Sequence, residues 1–201
     1  SKLIGHKTLF NNLIYLDQIQ KFPNKILLNG PKGIGKKIFI NHLLNYFYSK
    51  NNYKSYDLKK NEFKLNNNLS KLISTNSHPN IFKIKKKIDK KIIDIDQIRE
   101  MIQFTNQTSF NNDRRFIIIE DINLLGINSA NALLKSIEEP YNKTFYILVN
   151  NSEFKTLETV KSRCLDFKTN LVNKEVMEIV NYYFDSNIYS DINLDFINNY
   201  N

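Results

Sequence analysis

Apolar residues follow two different patterns along the chain. Short, almost wholly apolar runs predict strands buried on both faces, and apolar residues at three- and four-residue spacing predict amphipathic helices. The predicted strands are 26–28, 81–84, 93–95, 116–119, 144–149 and 165–167. The predicted helices are 1–20, 38–48, 97–104, 128–139 and 173–184, with the beginning of another at 192–200. Because strands and helices alternate, the sequence predicts an α/β fold with a doubly wound, mostly parallel sheet flanked by helices.

Polar residues and prolines set the predicted ends of these elements. Asp96 is expected to cap the helix after the strand 93–95, because an aspartate side chain accepts hydrogen bonds from free helical N–H groups. Residues 111–115 are expected to form a polar turn before the strand 116–119. Pro140 is expected to end the helix that precedes it.

Two segments lack clear periodicity. Residues 49–77 are rich in Lys, Asn, Ser and Tyr, which predicts a loosely ordered insertion with one short helix. Residues 83–91 contain six lysines. Such a run is typical of a solvated loop or hairpin, and the alternative is contact with a nucleic-acid backbone.

The composition narrows the class of protein. A net charge of +9 favours a polyanionic partner, but Lys, Asn and Ile are frequent throughout, so the charge is weak support for DNA contact. The single cysteine, Cys164, excludes an internal disulfide and suits a reducing compartment. No apolar run approaches the roughly 20 residues that span a bilayer, and no leader resembles a signal peptide. We therefore expect a cytoplasmic protein without a membrane partner.

A glycine-rich motif, GPKGIGKK at 30–37, lies between the first predicted strand and the next helix. This is the context of a phosphate-binding loop, in which the backbone N–H groups and a lysine bind phosphate oxygens. At the last position Lys37 replaces the Ser or Thr whose hydroxyl holds Mg²⁺, so we expect Mg²⁺ binding to be weakened. The alternative is a turn that caps the helix and binds nothing. The candidate nucleotide-binding residues are Gly30, Pro31, Lys32, Gly33, Ile34, Gly35, Lys36 and Lys37.

An acidic pair, Glu120 and Asp121, follows the predicted central strand 116–119. Acidic residues at this position of a nucleotide hydrolase hold Mg²⁺ and orient the attacking water. The usual order is Asp then Glu, and here it is reversed, which places a shorter carboxylate where the base belongs. We expect a degenerate acidic pair; the alternative is an ordinary polar strand end.

Several further motifs occur in order along the chain. They are Ile4-Gly5-His6, His78-Pro79-Asn80, IDIDQIR at 93–99, FIIIEDINLL at 116–125, NSANALLKSIEEP at 128–140 and LETVKSRC at 157–164. Together with the phosphate loop they resemble the delta-prime subunits of bacterial DNA polymerase III clamp loaders, which are AAA+ proteins. The resemblance covers about the first 170 residues, and its most specific parts are SANALLKSIEEP and SRC.

The resemblance implies a division of labour between subunits. Delta-prime subunits are comparatively rigid, usually do not hydrolyse ATP, and present the Arg of the SRC motif, here Arg163, to the nucleotide of a neighbouring motor subunit. The alternative for Arg163 is a surface salt bridge. The implied partners are motor subunits and a delta-type subunit, with the sliding clamp and primer–template DNA reached through the complex. ATP or ADP binding is possible but not required. Asn150 and Asn151, at the end of the strand 144–149, take a sensor-like position.

Two departures from the family pattern are visible. Many members carry four zinc-binding cysteines after the first helix, but 49–77 contains no cysteine, so neither zinc nor any other metal is expected. Members also continue through a helical lid into a collar. We expect an AAA+ P-loop domain at 1–168 and a partial lid at 169–201, with the collar absent.

Two other functions remain open at this stage. One is a self-sufficient AAA+ ATPase, such as a motor subunit or a helicase loader, and Lys37 opposes it. The other is a basic DNA-binding module with a relic phosphate loop, which predicts strong, salt-sensitive DNA binding by the isolated chain. The leading interpretation is a non-hydrolysing component of the DNA polymerase III holoenzyme that acts in DNA replication.

Overall fold

The computed structural model of the chain describes residues 1–52, 56–65, 67–154 and 157–183. Its helices are α1 (Lys7–Gln18), α2 (Lys36–Asn52), α3 (Asn68–Ser74), α4 (Ile95–Asn106), α5 (Ile127–Glu138), α6 (Glu158–Lys161) and α7 (Asn173–Tyr183). Its strands are β1 (Lys25–Gly30), β2 (Tyr56–Asp57), β3 (Glu62–Phe63), β4 (Ile81–Ile84), β5 (Arg115–Ile119), β6 (Thr144–Asn151) and β7 (Leu165–Lys168). Short 3₁₀ turns lie at 110–112 and 122–124.

The main sheet has five strands in the order β4-β5-β6-β1-β7, and every neighbouring pair is parallel. Parallel strands need crossover helices, which cover both faces, so the strands read as continuous apolar runs. β5 is buried at every position. The predicted doubly wound sheet is therefore confirmed.

The buried strands contribute alternate residues to two separate cores, one on each face of the sheet. Ile26, Leu28 and Phe116 pack with α1, α2 and α3 on one face, and Leu27 and Ile117 pack with α4 and α5 on the other. This alternation follows from the two-residue period of a strand. Because all five strands run the same way, the loops after β1, β4 and β5 meet at one edge of the sheet, which we call the carboxyl edge.

The region predicted as a strand at 93–95 forms no strand. Ile93 makes an isolated parallel bridge with Leu125, and Ile95 already belongs to α4. Asp94, not Asp96, caps this helix, since its Oδ1 accepts from the backbone N–H of Gln97 at 3.2 Å. The strand predicted at 93–95 and the cap predicted at Asp96 are therefore both wrong, and for one reason. The helix begins at Ile95, and the capping residue lies one position before the first helical residue.

Arg115 was predicted in the polar turn 111–115, and this is wrong. It begins β5 and is buried. Its guanidinium donates to the backbone oxygens of Thr105 at 2.7 Å and Gln107 at 2.6 Å, at the carboxyl end of α4. A cation placed there satisfies free helical carbonyls and complements the helix dipole, which allows a charged side chain to be buried.

The insertion 49–77 has more structure than its composition predicts. α2 continues to Asn52, β2 and β3 form an antiparallel hairpin, and α3 is the predicted short helix. Phe63, Leu69 and Ile73 are buried, although polar residues surround them in the sequence. A few well-placed apolar residues are enough to attach the segment to the core.

The N-terminal helix is shorter than predicted and begins at Lys7. α7 confirms the helix expected near 173–184, and the helix expected at 192–200 lies outside the described residues. Within the described ranges no helix is both long and apolar enough to cross a membrane. Nor do three His, Cys, Asp or Glu side chains there come together as a metal-binding group.

Candidate functional site

The phosphate loop joins β1 to α2 at the carboxyl edge of the sheet. Gly33 and Gly35 have φ angles of 85° and 98°, in the left-handed region that glycine adopts without strain. A Cβ atom on Gly33 would meet nothing within 4 Å, so the loop is open on that side. Backbone curled in this way before a helix N-terminus forms a concave site for anions. The motif 30–37 therefore has the predicted strand–loop–helix context.

The side chain of Lys36 hydrogen-bonds to the backbone of its own loop. Its Nζ donates to the backbone oxygens of Gly30 at 2.5 Å and Pro31 at 2.6 Å, and the residue is buried. Burial lowers the pKa of Lys36, while the nearby carboxylates of Asp121 and Glu153 oppose that decrease. The ammonium that would reach a phosphate is thus held by the loop's own carbonyls.

The ammonium group of Lys83 lies near Glu120, the acidic residue that follows β5. Burial lowers the pKa of Lys83, the negative charge of Glu120 raises it, and the positive charge of Lys37 lowers it again. Lys83 therefore lies within electrostatic range of Glu120, and Lys37 lies within electrostatic range of Lys83. A Mg²⁺ ion at this position would lack the loop hydroxyl and would be repelled by these ammonium groups. The residues present do not fit a magnesium site.

A small cavity lies beside the loop, between the N-terminal segment and α7. Its volume is about 60 Å³, and His6, Gly35, Ile38 and Ile179 are among its lining residues. Pockets for drug-sized ligands measure about 300–1,000 Å³. In this arrangement an anion can approach the loop past Gly33, but the cavity does not accommodate a nucleoside.

The N-terminal segment fastens the loop to α7, a contact that sequence reasoning missed. His6 hydrogen-bonds the backbone oxygen of Ile34 through Nε2 at 2.8 Å, and its backbone N–H donates to Glu175 at 2.7 Å. Lys7 and Glu178 form an ion pair of 2.7 Å beside it. The sequence contains the Ile4-Gly5-His6 motif, but His6 and Glu175 are 169 positions apart, so nothing in the sequence indicated their contact.

The sensor-like pair ends β6 next to the loop. Asn150 is fully buried and donates to Oδ1 of Asn29 at 3.0 Å, which joins β6 to β1 just before the phosphate loop. Its own Oδ1 has no hydrogen-bond partner among the described residues. Asn151 donates to Glu153 at 3.1 Å, and the charge of Glu153 acts on Lys36. The pair shapes the loop's surroundings, and its sensor-like role stays a prediction.

Arg163 lies far from the phosphate loop. It follows α6 and precedes β7, so it sits at the beginning of a strand, on the edge of the sheet opposite the carboxyl edge. Leu165 pairs with Ile26, four residues before Gly30, which corresponds to about 13 Å along the strand. The structure therefore does not bring Arg163 together with this chain's own phosphate loop.

The guanidinium of Arg163 is held from more than one side. Nε and Nη2 lie 2.7 and 2.6 Å from Oε1 of Glu138, and Nη1 donates to the backbone oxygen of Thr159 at 2.8 Å. Cys164, the next residue, is half-buried against the core formed with α4 and α5. Burial raises the pKa of its thiol to about 11, which leaves it protonated and unreactive.

Comparison with known proteins places the chain in a family. A family model described as "DNA polymerase III, delta subunit" matches residues 5–172. The DNA polymerase III subunit delta' of Pseudomonas aeruginosa is 35% identical over 94 residues, which is 47% of this chain and 29% of that protein. The subunit delta' of Buchnera aphidicola subsp. Acyrthosiphon pisum is 29% identical over 163 residues, 79% of this chain and 47% of that protein.

A solved structure supports the fold independently. The DNA polymerase III gamma subunit-related protein of Thermotoga maritima superposes with a TM-score of 0.56 at 23% identity, over 85% of this chain and 49% of that one. The chain spans less than half the length of each of these three proteins. The likeness to that structure is one of fold, a parallel sheet flanked by helices. The chain therefore belongs to the DNA polymerase III delta subunit family, as a clamp-loader subunit of the delta-prime type.

Proposed function

We propose that this chain is a non-hydrolysing clamp-loader subunit that supplies Arg163 to the nucleotide of a neighbouring ATPase subunit. The observation that carries the proposal is the position of Arg163 on the edge of the sheet opposite its own phosphate loop. A side chain on that edge is available to another molecule and not to the loop of its own chain. The role is that of an arginine finger acting in trans.

The chemistry of arginine suits this role. Its guanidinium stays charged at any physiological pH, and its planar fork matches phosphate oxygens. Charge develops on those oxygens during phosphoryl transfer, and a finger that stabilises it accelerates the reaction by about 10³–10⁵-fold. Arg163 is partly exposed, with its side chain 36% accessible, so a docked phosphate can reach it.

The same chain is poorly equipped to hydrolyse ATP itself. Lys37 stands where the loop hydroxyl would hold Mg²⁺, and Lys83 adds a second ammonium near Glu120. Asp121 acts on Lys36 electrostatically, so its charge is directed toward the loop lysine. Without a metal at the phosphates, the developing charge loses the stabilisation that a metal ion supplies in phosphoryl transfer.

Family membership supports a proposal for the assembly in which the chain acts. We place the chain in a hetero-oligomeric loader with motor subunits and a delta-type subunit, which acts on a sliding clamp and primed DNA in the bacterial cytoplasm. No zinc is needed. Any ATP or ADP would be held mainly through its phosphates at 30–37, since the adjoining cavity measures about 60 Å³.

The isolated chain is expected to show no ATP turnover above background with Mg²⁺, in the presence or absence of primed DNA, because it lacks a fitted metal site. Steady-state phosphate release measures this directly. Turnover that disappears in Lys36→Ala would contradict the proposal and make the chain a self-sufficient ATPase. Turnover that persists in Lys36→Ala would identify a contaminating enzyme.

A second candidate function, DNA binding, is favoured by the lysine-rich loop after β4. Lys86 closes this loop, since its Nζ donates to the backbone oxygens of Lys90 at 2.9 Å and Lys87 at 3.3 Å. Gln97 holds the loop's first residue through a 2.9 Å bond to the backbone oxygen of Lys85. The remaining ammonium groups find no partner within the described part of the chain. They belong to Lys85, Lys87, Lys90 and Lys91.

Replacing these four lysines by alanine is expected to weaken binding of primed DNA by the isolated chain and to flatten its salt dependence. Each lost phosphate contact lowers the slope of log K against log salt by about 0.9. Fluorescence anisotropy at several salt concentrations measures both quantities. An equal loss in a control with the same change in charge would exclude a specific role for the loop. The control replaces the exposed residues Lys21, Lys59, Lys71 and Lys135.

A further inference from the structure

We infer that Glu138 is a positioning residue for Arg163, holding its guanidinium in the orientation in which a neighbouring subunit's nucleotide meets it. The inference rests on the proposed function and names the residue that prepares the finger. Glu138 is the last residue of α5, and the two side chains are 25 residues apart in the sequence. They meet because α5 and α6 both end at the same edge of the sheet.

The contact has the geometry of an orienting bond. One carboxylate oxygen, Oε1, receives both Nε at 2.7 Å and Nη2 at 2.6 Å, which fixes the plane of the guanidinium. Nη1 is tied to the backbone oxygen of Thr159 at 2.8 Å and to Oγ of Ser162 at 3.3 Å. A long side chain that would otherwise sample many rotamers is thereby restricted to one. The loss of side-chain entropy on docking is reduced accordingly.

Stability does not explain the placement of Glu138. A carboxylate in the last turn of a helix opposes the partial negative charge at the helix carboxyl end. The side chains are 47% exposed for Glu138 and 36% exposed for Arg163, and ion pairs with this exposure contribute little to folding. The ion pair is therefore better explained by the orientation that it gives the guanidinium than by a contribution to folding stability.

The opposite role for the same contact would be a latch, in which Glu138 holds Arg163 back from the phosphate. The two roles predict opposite effects. A positioning residue raises the turnover of the neighbour, so its removal slows the reaction. A latch competes with the phosphate for the guanidinium, so its removal speeds the reaction. The two contacts to Oε1 of Glu138, the bond to Thr159 and the remaining exposure of Arg163 favour positioning.

The test uses a clamp loader reconstituted with this subunit. Glu138→Ala is expected to lower the kcat for ATP at the adjacent site about tenfold, with KM for ATP unchanged, because misplacing a catalytic group costs turnover rather than substrate binding. Glu138→Gln keeps an acceptor oxygen and is expected to retain more than half of the activity. Glu139→Ala removes a neighbouring exposed carboxylate and is the matched control, expected to behave as wild type.

The double variant Glu138→Ala/Arg163→Ala separates positioning from an independent effect. If Glu138 acts only through Arg163, the double variant is no slower than Arg163→Ala alone. Unchanged or faster turnover in Glu138→Ala, beside a slow Arg163→Ala, overturns this inference and leaves the proposed function standing. Normal turnover in Arg163→Ala overturns both. A fall in thermal midpoint with no change in kcat would assign Glu138 to stability and would also overturn the inference.

Discussion

Replacing Arg163 by alanine is expected to slow ATP turnover at the neighbouring site of a reconstituted loader about 10³-fold. The folding of the chain is expected to be unchanged, because Arg163 is partly exposed and its ion pair with Glu138 is a surface pair. The total ATP turnover of the loader then falls only by the fraction that this one site contributes. Single-turnover hydrolysis, together with far-UV circular dichroism of the variant subunit, measures both parts of the prediction.

Two controls make the result specific to the guanidinium. Arg163→Lys keeps the positive charge but loses the planar fork, and it is expected to recover only part of the rate. Arg99→Ala removes another exposed arginine that pairs with an acidic side chain, Asp96, at 2.9 Å, and it is expected to have no effect. Equal turnover with and without the Arg163 guanidinium would remove the finger from the proposed function.

Gly30→Ala is expected to destabilise the fold by about 2–3 kcal/mol, as overpacking a tight site does. A Cβ atom at Gly30 would lie 2.5 Å from the backbone oxygen of Thr169 and would also overlap its Oγ1. The Thr169 backbone is tied to β1 by the 2.8 Å hydrogen bond from its N–H to the backbone oxygen of Asn29, which limits how far it can shift. Urea unfolding of the isolated chain, evaluated with a common m-value, gives the change in free energy.

Gly33→Ala is the matched control within the same loop. Its Cβ would have no neighbour within 4 Å, so only the left-handed φ of 85° is unfavourable, at about 1 kcal/mol. Thr169→Ala combined with Gly30→Ala is expected to recover part of the loss, because the Oγ1 overlap is removed and the backbone overlap remains. A Gly33→Ala variant less stable than Gly30→Ala would contradict this explanation.

Elements that consecutive residues identify could be predicted from the amino-acid sequence alone. β4 has the predicted bounds, Ile81–Ile84, because β-branched and aromatic residues between polar segments leave little alternative. The phosphate loop was predicted from eight consecutive residues, because glycine spacing alone sets its backbone. Lys37 predicts weakened Mg²⁺ binding in the same way, since the missing hydroxyl is a property of one position.

Other features depended on contacts between segments distant in sequence. Arg115 is charged and was predicted in a turn, yet the carbonyls at the end of α4 allow it to be buried. Phe63 and Ile73 belong to a segment of polar composition, and only the core that they complete makes them structural. Composition averages over such positions, so it cannot identify the few that are buried.

The candidate site likewise has features that local sequence predicts and features that depend on contacts between distant segments. The motifs located Arg163 and the phosphate loop separately, and the resemblance implied that Arg163 serves the nucleotide of another subunit. Only the parallel order of the strands places the two on opposite edges of the sheet, since direction and neighbour relations are properties of the assembled sheet. The contact between Glu138 and Arg163 likewise arises from the way α5 and α6 return to one edge. The order of residues specifies which chemical groups are present, and the packing of distant segments brings particular groups into contact.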